Sequence, residues 1–403
     1  MSKELSDRTN LSSIDMVTWL YITLLLSGSE WGFFGHKLIN RVAVYTLPTE
    51  LISWYKPHID YLAEHAVDPD KRRYATRHEA VRHYIDLDHW GEFPFDHLPR
   101  YWDQVLALNI QLYSILDSDT TYLLKAIPLE QWSDSIPDKN NRLDLVRKFY
   151  LPQYYEDEQI ISCDSLMMIF PSLNCTVESL IYMEDVFTEH GIVPYHLQSM
   201  QRRLTNAFKS SDLESIIRTS AEMGHYIADA CVPLHTTSNY NGQLTNQVGI
   251  HAFWESRIPE LFAVEEFDMV VGTAEYIEDP TTYFWNLVMD SHKEVDKVLN
   301  LEKELSLTYP TDKQFCFEDR LNQTVRTQCS SYAEAYHIAM DKMVEDRFRV
   351  AVKAVGNSWY TAWIDAGQPP PPAQKKIRDK APEDEEVDKA FLSGKIKGRE
   401  HEN

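Results

Sequence analysis

The chain is 403 residues long and carries 39 Lys and Arg against 62 Asp and Glu, a formal net charge of −23. With 43% hydrophobic and 12% aromatic residues it can bury a full core, which excludes wholesale disorder. The acidic balance excludes a protein that grips nucleic acid or anionic membrane over a broad basic face, so any phosphate it handles must meet something local and strongly positive.

In chain order, residues 16–26 form the strongest apolar run. It is too short to cross a bilayer, which takes about 20 residues, but it matches a signal-peptide core. Ser27-Gly28-Ser29 follows with small residues suited to cleavage, although Lys3 and Arg8 are outweighed by Glu4, Asp7 and Asp15. The expectation is a leader over 1–30, export to the periplasm or beyond, and no stable membrane span. Helical periodicity then dominates, over 38–47, 101–116, 196–208, 212–231, 281–303 and 331–355. No run of alternating strands competes with it, so the predicted fold is all-α, one multi-helix domain over 31–367. The acidic stretch 153–185 reads as an excursion from it. Pro369–Pro372 close the folded region, and 368–403 reads as a Pro-rich, then charged, disordered tail. Cys163/Cys175 and Cys316/Cys329 are spaced as two local disulfide loops or, equally, as reduced buried thiols; Cys231 is left over, best read as packing.

The densest chemical signal is the segment from Gly224 to His235. His225 and Asp229 lie four apart on the expected helix, so both side chains share one face and can share a metal ion. Pro233 ends that helix and His235 follows at once. His251 and Glu255 repeat the four-residue spacing downstream. Mixed His and carboxylate donors favour zinc over magnesium or calcium, which draw mostly oxygen ligands. Zinc would supply the missing local positive charge and activate water, which points to metal-assisted hydrolysis of a phosphate ester. Upstream, Lys71, Arg72, Arg73, Arg77 and Arg82 form a basic island, read either as guanidinium groups near a phosphate or as a solvated face pairing with nearby acids. His78-Glu79-Ala80-Val81-Arg82-His83 looks like H-E-x-x-H, but its histidines are five apart, which fails the zinc-protease spacing.

Trp31-Gly32 with His36, Asp68, His83-Tyr84-Ile85-Asp86, His225-x-x-x-Asp229, His235 and His251-x-x-x-Glu255 together resemble the superfamily of S1/P1 nucleases and zinc-dependent phospholipases C. Trp254-Glu255-Ser256-Arg257 and Trp359-Tyr360-Thr361-Ala362-Trp363 are similar to bacterial members. The resemblance implies an all-α fold with three zinc ions. Asp68, His83, His225 and Asp229 would hold one, and His235, His251 and Glu255 a second. Trp31, through its free amine and carbonyl, would join His36 and a bridging Asp229 on the third. That third ion depends on Trp31 being the mature N-terminus, whereas a cut after Ser29 would leave Glu30 ahead of it. Asp68 and Asp229 are the expected catalytic acids, Asp68 orienting the attacking water. Tyr84 and Asp86 match positions that bind a base in the nuclease branch, or else support the neighbouring ligand. The substrate is then a phosphodiester, phospholipid or single-stranded nucleic acid, handled by a monomer. The alternative is a non-catalytic member that binds zinc or a phosphate ligand.

Overall fold

The computed structural model describes residues 33–371 and residue 377, apart from 74, 75, 117, 118, 133–135, 137, 177, 178, 321 and 322. The leader expected over 1–30, Trp31, and all of the expected tail after 371 except Ile377 lie outside the described residues.

Helix α1 (Phe33–Ala43) buries Gly35, His36, Ile39, Asn40 and Ala43, the three- and four-residue stripe of a helix facing a core. Helices α2 (Asp68–Arg73), α3 (Val193–Lys209), α4 (Leu213–Ala230), α5 (Pro280–His292), α6 (Val295–Thr308), α7 (Ser330–Met340) and α8 (Met343–Asp365) follow. Helix α4 starts where the Asp212 carboxylate accepts from the Ser215 N–H at 3.3 Å and from its hydroxyl at 2.7 Å, an N-cap that satisfies an otherwise orphaned donor. It is buried all round from Thr219 to Ala230, which makes it the axis of the molecule. Helices α1, α3 and α8 pack on it.

Two close approaches lock this arrangement. A Cβ added at Gly224 would lie 1.8 Å from Asn40 Oδ1, so only glycine lets α1 and α4 come this near. The Asn40 amide donates to the carbonyls of Leu62 at 2.9 Å and Ala221 at 3.0 Å. Trp359, fully buried on α8, donates its indole N–H to the Ser220 carbonyl at 3.2 Å.

The chain is largely helical, but it is not all-α. Residues 110–185 contribute a four-stranded antiparallel sheet in the order β2–β1–β4–β3: β1 (Ile110–Leu116), β2 (Asp119–Leu124), β3 (Ile160–Ile161) and β4 (Ile181–Asp185). Strands β5 (Phe315–Arg320) and β6 (Gln323–Gln328) form a separate hairpin. The helix expected over 101–116 runs only from Trp102 to Asn109 and passes straight into β1. There Ile110 and Leu112 point inward while Gln111 and Tyr113 pair outward with Glu184 and Tyr182. Apolar residues at 106, 108, 110 and 112 satisfy a period of two as well as a helical one, and the sequence pattern alone does not separate them. The sheet covers a second, smaller core of Leu106, Leu112, Leu145, Ile161 and Met183, so the excursion at 153–185 is a packed part of it.

Of the other helical expectations, 38–47 is α-helix only to Ala43 and then a 3-10 turn over Val44–Thr46, and two more are broken. Residues 281–303 are two helices, α5 and α6. The stretch 331–355 divides into α7 and α8 at Asp341 and Lys342, which adopt left-handed backbone with φ of 47° and 64°. Cys163–Cys175 and Cys316–Cys329 are both disulfides, with Cα separations of 5.8 and 4.9 Å. Among the described residues no helix is long and apolar enough to cross a membrane. Beyond the prolines, Ile377 is buried against the main core.

Candidate metal centre

Helix α4 delivers His225 and Asp229, one turn apart, to the side where α1 presents His36. The short 3-10 turn Pro233–Thr236 brings His235 back over the end of α4. The helical segment 250–257 supplies His251 and Glu255, while α2 and the turn after 80 supply Asp70 and His83. These side chains converge into three adjoining groups that can each hold a metal ion: Asp70, His83 and His225; His36, His225 and Asp229; and His235, His251 and Glu255.

The distances make this one continuous cluster. Asp229 Oδ2 lies 2.9 Å from His83 Nδ1 and 3.2 Å from His225 Nε2, while its Oδ1 lies 3.5 Å from His36 Nε2 and 3.8 Å from His235 Nε2. Glu255 does the same on the other side: Oε1 is 3.4 Å from His36 Nε2, and Oε2 is 3.3 Å from His235 Nε2 and 2.8 Å from His251 Nε2. Each carboxylate therefore links imidazoles of different groups. His36 and His225 stack with ring centres 4.1 Å apart.

Two of the imidazoles are fixed from behind. His235 donates its Nδ1–H to the His83 carbonyl at 2.7 Å, and His251 donates its own to the Tyr240 carbonyl at 3.1 Å. Both rings are thereby oriented with Nε2 toward the carboxylates, the atom each would offer a metal ion. The Ile85 N–H bonds back to the His235 carbonyl at 2.9 Å. Asp88 accepts from the Ser238 N–H at 2.9 Å and the Thr237 hydroxyl at 2.9 Å. The loops carrying His83 and His235 are thus tied together.

The residues fit zinc. Donor atoms around a tetrahedral zinc with bonds of ~2.0–2.1 Å sit ~3.3 Å from one another. The His225–Asp229, His235–Glu255, His36–Glu255 and His36–Asp229 pairs, at 3.2, 3.3, 3.4 and 3.5 Å, cluster around that edge. His83 Nδ1 also faces His225 Nε2 at 3.0 Å inside a fully buried site, close enough for both nitrogens to serve one ion.

Electrostatics separate the two bridging acids. Burial pushes Asp229 up to about 7, against the opposing pull of His235 and His36. Burial acts the same way on Glu255, but there His235, His251 and His36 together outweigh it and hold the carboxyl well below its usual range. Burial lowers the pKa of His225, which keeps its imidazole neutral and able to ligate.

Eight of the expected site residues can be placed among the described residues as ligands, and seven of them meet here: His36, His83, His225, Asp229, His235, His251 and Glu255. Asp68 does not. Its carboxylate is held by His65 Nδ1 at 2.6 Å and Lys71 Nζ at 2.9 Å, and Asp70 takes the expected place, with Oδ1 3.8 Å from His225 Nε2 and 3.9 Å from His83 Nδ1. The reason is helical phase. Ala66, Val67, Asp70 and Arg73 form the buried stripe at three- and four-residue steps, and Asp68 falls off it. Within Asp68-Pro69-Asp70, Asp70 is the acid whose carboxylate faces the cluster, and the buried stripe is the sequence signal for it.

Tyr84 and Asp86 follow His83 into the turn beside the cluster. Both are buried, 5% and 2% exposed. The Tyr84 hydroxyl donates to the Glu189 carbonyl at 3.0 Å, and the Asp86 backbone N–H to the His190 carbonyl at 2.7 Å. They brace the 3-10 turn Thr188–His190 against the His83 segment. Three arginines of the basic island pair with acids: Arg72 with Glu222 at 2.9 Å, Arg73 with Asp70 at 3.2 Å and Arg82 with Glu79 at 2.8 Å. Tyr226 adds its hydroxyl to Glu79 from beside His225. Cys231 lies outside the three groups, buried, its thiol pushed up to about 11 by burial against the pull of Arg347.

Comparison with protein-family models, with characterised proteins and with solved structures yields no match. The functional reading therefore rests on the cluster itself.

Proposed function

We propose that the chain is a zinc-dependent phosphoric ester hydrolase of the S1/P1 nuclease and phospholipase C type, acting on a phosphodiester. The observation that carries this reading is the pair of buried carboxylates, Asp229 and Glu255, each dividing its two oxygens between different imidazoles at ligand-to-ligand spacing. A site built to hold one ion needs no such sharing; a site built for adjacent ions does, and adjacent ions are what phosphodiester hydrolysis uses.

Bound zinc supplies Lewis acidity, a water acidified toward neutral pH, and positive charge for the phosphate oxygens. Asp70, His83, His225 and Asp229 would hold one ion, and His235, His251 and Glu255 a second. His36 with Asp229 would hold a third, with Trp31 as the remaining ligand if it is the mature N-terminus. The protein's own part is positional. The carbonyls of His83 and Tyr240 fix the rings of His235 and His251. Asp229 stays ionised among its four imidazole neighbours once positive charge is present. The task of orienting water, expected of Asp68, falls to Asp70, because Asp68 is engaged by His65 and Lys71. Two disulfides and the apolar run at 16–26 support export from the reducing cytosol.

The test is a substrate panel on zinc-loaded protein: single-stranded DNA, RNA and phosphatidylcholine beside bis(p-nitrophenyl) phosphate. Cleavage of the artificial diester together with one natural class supports the reading and chooses the branch. A folded, zinc-loaded protein inert toward all four is a binding protein and overturns it.

A further inference from the structure

A cavity of about 320 Å³ lies where the two hydrophobic cores meet. Leu108, Trp132 and Ile136 of the main core form one side, and Ala107 of the smaller core continues it. It shares no residue with the candidate metal groups.

Two cations line it, Lys139 and Arg142. Arg142 is 7% exposed, yet no carboxylate of the described residues pairs with it. Its terminal nitrogens donate only to main-chain carbonyls: Nη1 to Ala107 and Ile110, both at 3.4 Å, and Nη2 to Lys125 at 2.9 Å. None of these bonds uses the Nε–H. Elsewhere in the fold, Arg73 and Arg257, equally buried, sit on Asp70 and Glu318. Asp138 is the one acid whose charge acts on Arg142, and it does so without a contact ion pair, so burial still lowers the pKa of the guanidinium and an anion in the cavity would offset that cost. Lys139, half-buried on the same helical segment, also makes no ion pair among the described residues. Among the described residues that line the cavity, Asp96 at the rim is the one acid beside Lys139 and Arg142.

We propose that this cavity binds a small organic monoanion: a carboxylate or phosphoryl headgroup placed between Lys139 and Arg142, carried on an apolar or aromatic body against Leu108, Trp132 and Ile136. Guanidinium and ammonium groups suit either headgroup. A cavity of roughly 150 Å³ accepts benzene, so this one has room for a ring and a headgroup together. Sites at the junction of two cores, largely apolar with a few convergent polar groups, are the usual form of small-molecule pockets.

The test is calorimetric titration of the zinc-loaded full chain with four probes: phenylacetate, phenylphosphonate, neutral benzyl alcohol and inorganic phosphate. Each is repeated on Lys139→Gln, which alters a half-exposed side chain and leaves the packing alone, and on Gln104→Trp, which fills the cavity mouth. At least one aromatic anion should bind the unmodified protein, and the tighter of the two identifies the headgroup. Benzyl alcohol should bind at least about tenfold more weakly, and each variant should weaken the anion by about tenfold. Inorganic phosphate, with nothing to place on the apolar wall, should be unaffected by Gln104→Trp. Absence of anion binding, equal binding of benzyl alcohol, or anion binding unchanged in both variants would each overturn the proposal, the last by assigning the anion to the metal cluster.

Discussion

The imidazole of His235 donates its Nδ1–H to the backbone carbonyl of His83 at 2.7 Å, so the main chain beneath one candidate ligand sets the ring of another. His251 takes its orienting carbonyl from Tyr240, outside the cluster. The two histidines therefore differ in what their loss should do. His235→Ala removes a ligand and also loosens the His83 loop, so zinc affinity should fall for more than one ion. His251→Ala should weaken only the ion it shares with His235 and Glu255. Zinc titration against a competing chelator checks this. Equal losses in the two variants would show that the His83–His235 bond transmits nothing.

Asp68 and Asp70 provide a direct contrast, since they are two residues apart and only one faces the cluster. Asp70→Asn should lower zinc content and diester hydrolysis together, with metal affinity weakened by about 10–100-fold or more. Asp68→Asn should leave zinc content unchanged, since its carboxylate is engaged by His65 and Lys71 away from the cluster. Metal analysis of the two purified variants decides between them.

Asp229 makes a pH prediction of definite sign. Its carboxyl is raised by burial from 3.8 to about 7 in the folded, metal-free protein. Between those values the native state keeps a proton that the unfolded chain has lost, so this group's contribution to stability falls as pH rises through the window. Metal-free Asp229→Asn lacks that loss. It should gain on the unmodified protein from about pH 4 to pH 7, reaching on the order of a few kcal/mol, with no further change above about pH 8. Zinc should reverse the order, because the amide cannot replace the bridging carboxylate. Thermal unfolding across pH with and without zinc measures both halves. A metal-free difference that does not grow with pH contradicts the placement of Asp229.

The approach of α1 to α4 predicts a packing defect. Gly224→Ala drives a methyl group to within 1.8 Å of Asn40 Oδ1, and overpacking of this kind costs ~1–3 kcal/mol. Because Asn40 lies one turn beyond His36 and Gly224 is next to His225, the variant should lose zinc affinity as well as stability. Adding Asn40→Ala removes the clash at the cost of two buried hydrogen bonds, so the pair should be less unstable than the sum of the single variants.

The five downstream ligands were legible in the sequence because α4 is regular. A four-residue spacing on an unmistakable helix fixes a shared face, and His251 with Glu255 repeats it. His36 and His83 entered through resemblance, since nothing local marks a single histidine on an apolar stripe. Asp70 was missed for want of helical phase over a short segment. The sheet was missed because Leu106 to Leu112 fits two periods at once, and strand pairing is a long-range property: Tyr113 meets Tyr182 across nearly seventy residues. Tyr84 and Asp86 look like recognition residues in sequence because an aromatic and an acid beside a ligand fit either role, and their burial could not be read from the sequence. The cavity beside Arg142 has no local sequence signature, because its walls come from segments that meet only in the fold.

Hydrolysis of a phosphodiester at this cluster is open to one decisive comparison. The rate of bis(p-nitrophenyl) phosphate cleavage by zinc-loaded protein, compared with zinc-loaded Asp229→Asn, tests it most directly. Turnover should be abolished by a chelator, restored by zinc, and lowered by more than about 100-fold in the folded Asp229→Asn variant. Near-normal turnover in that variant, or none in the zinc-loaded unmodified protein, would contradict it.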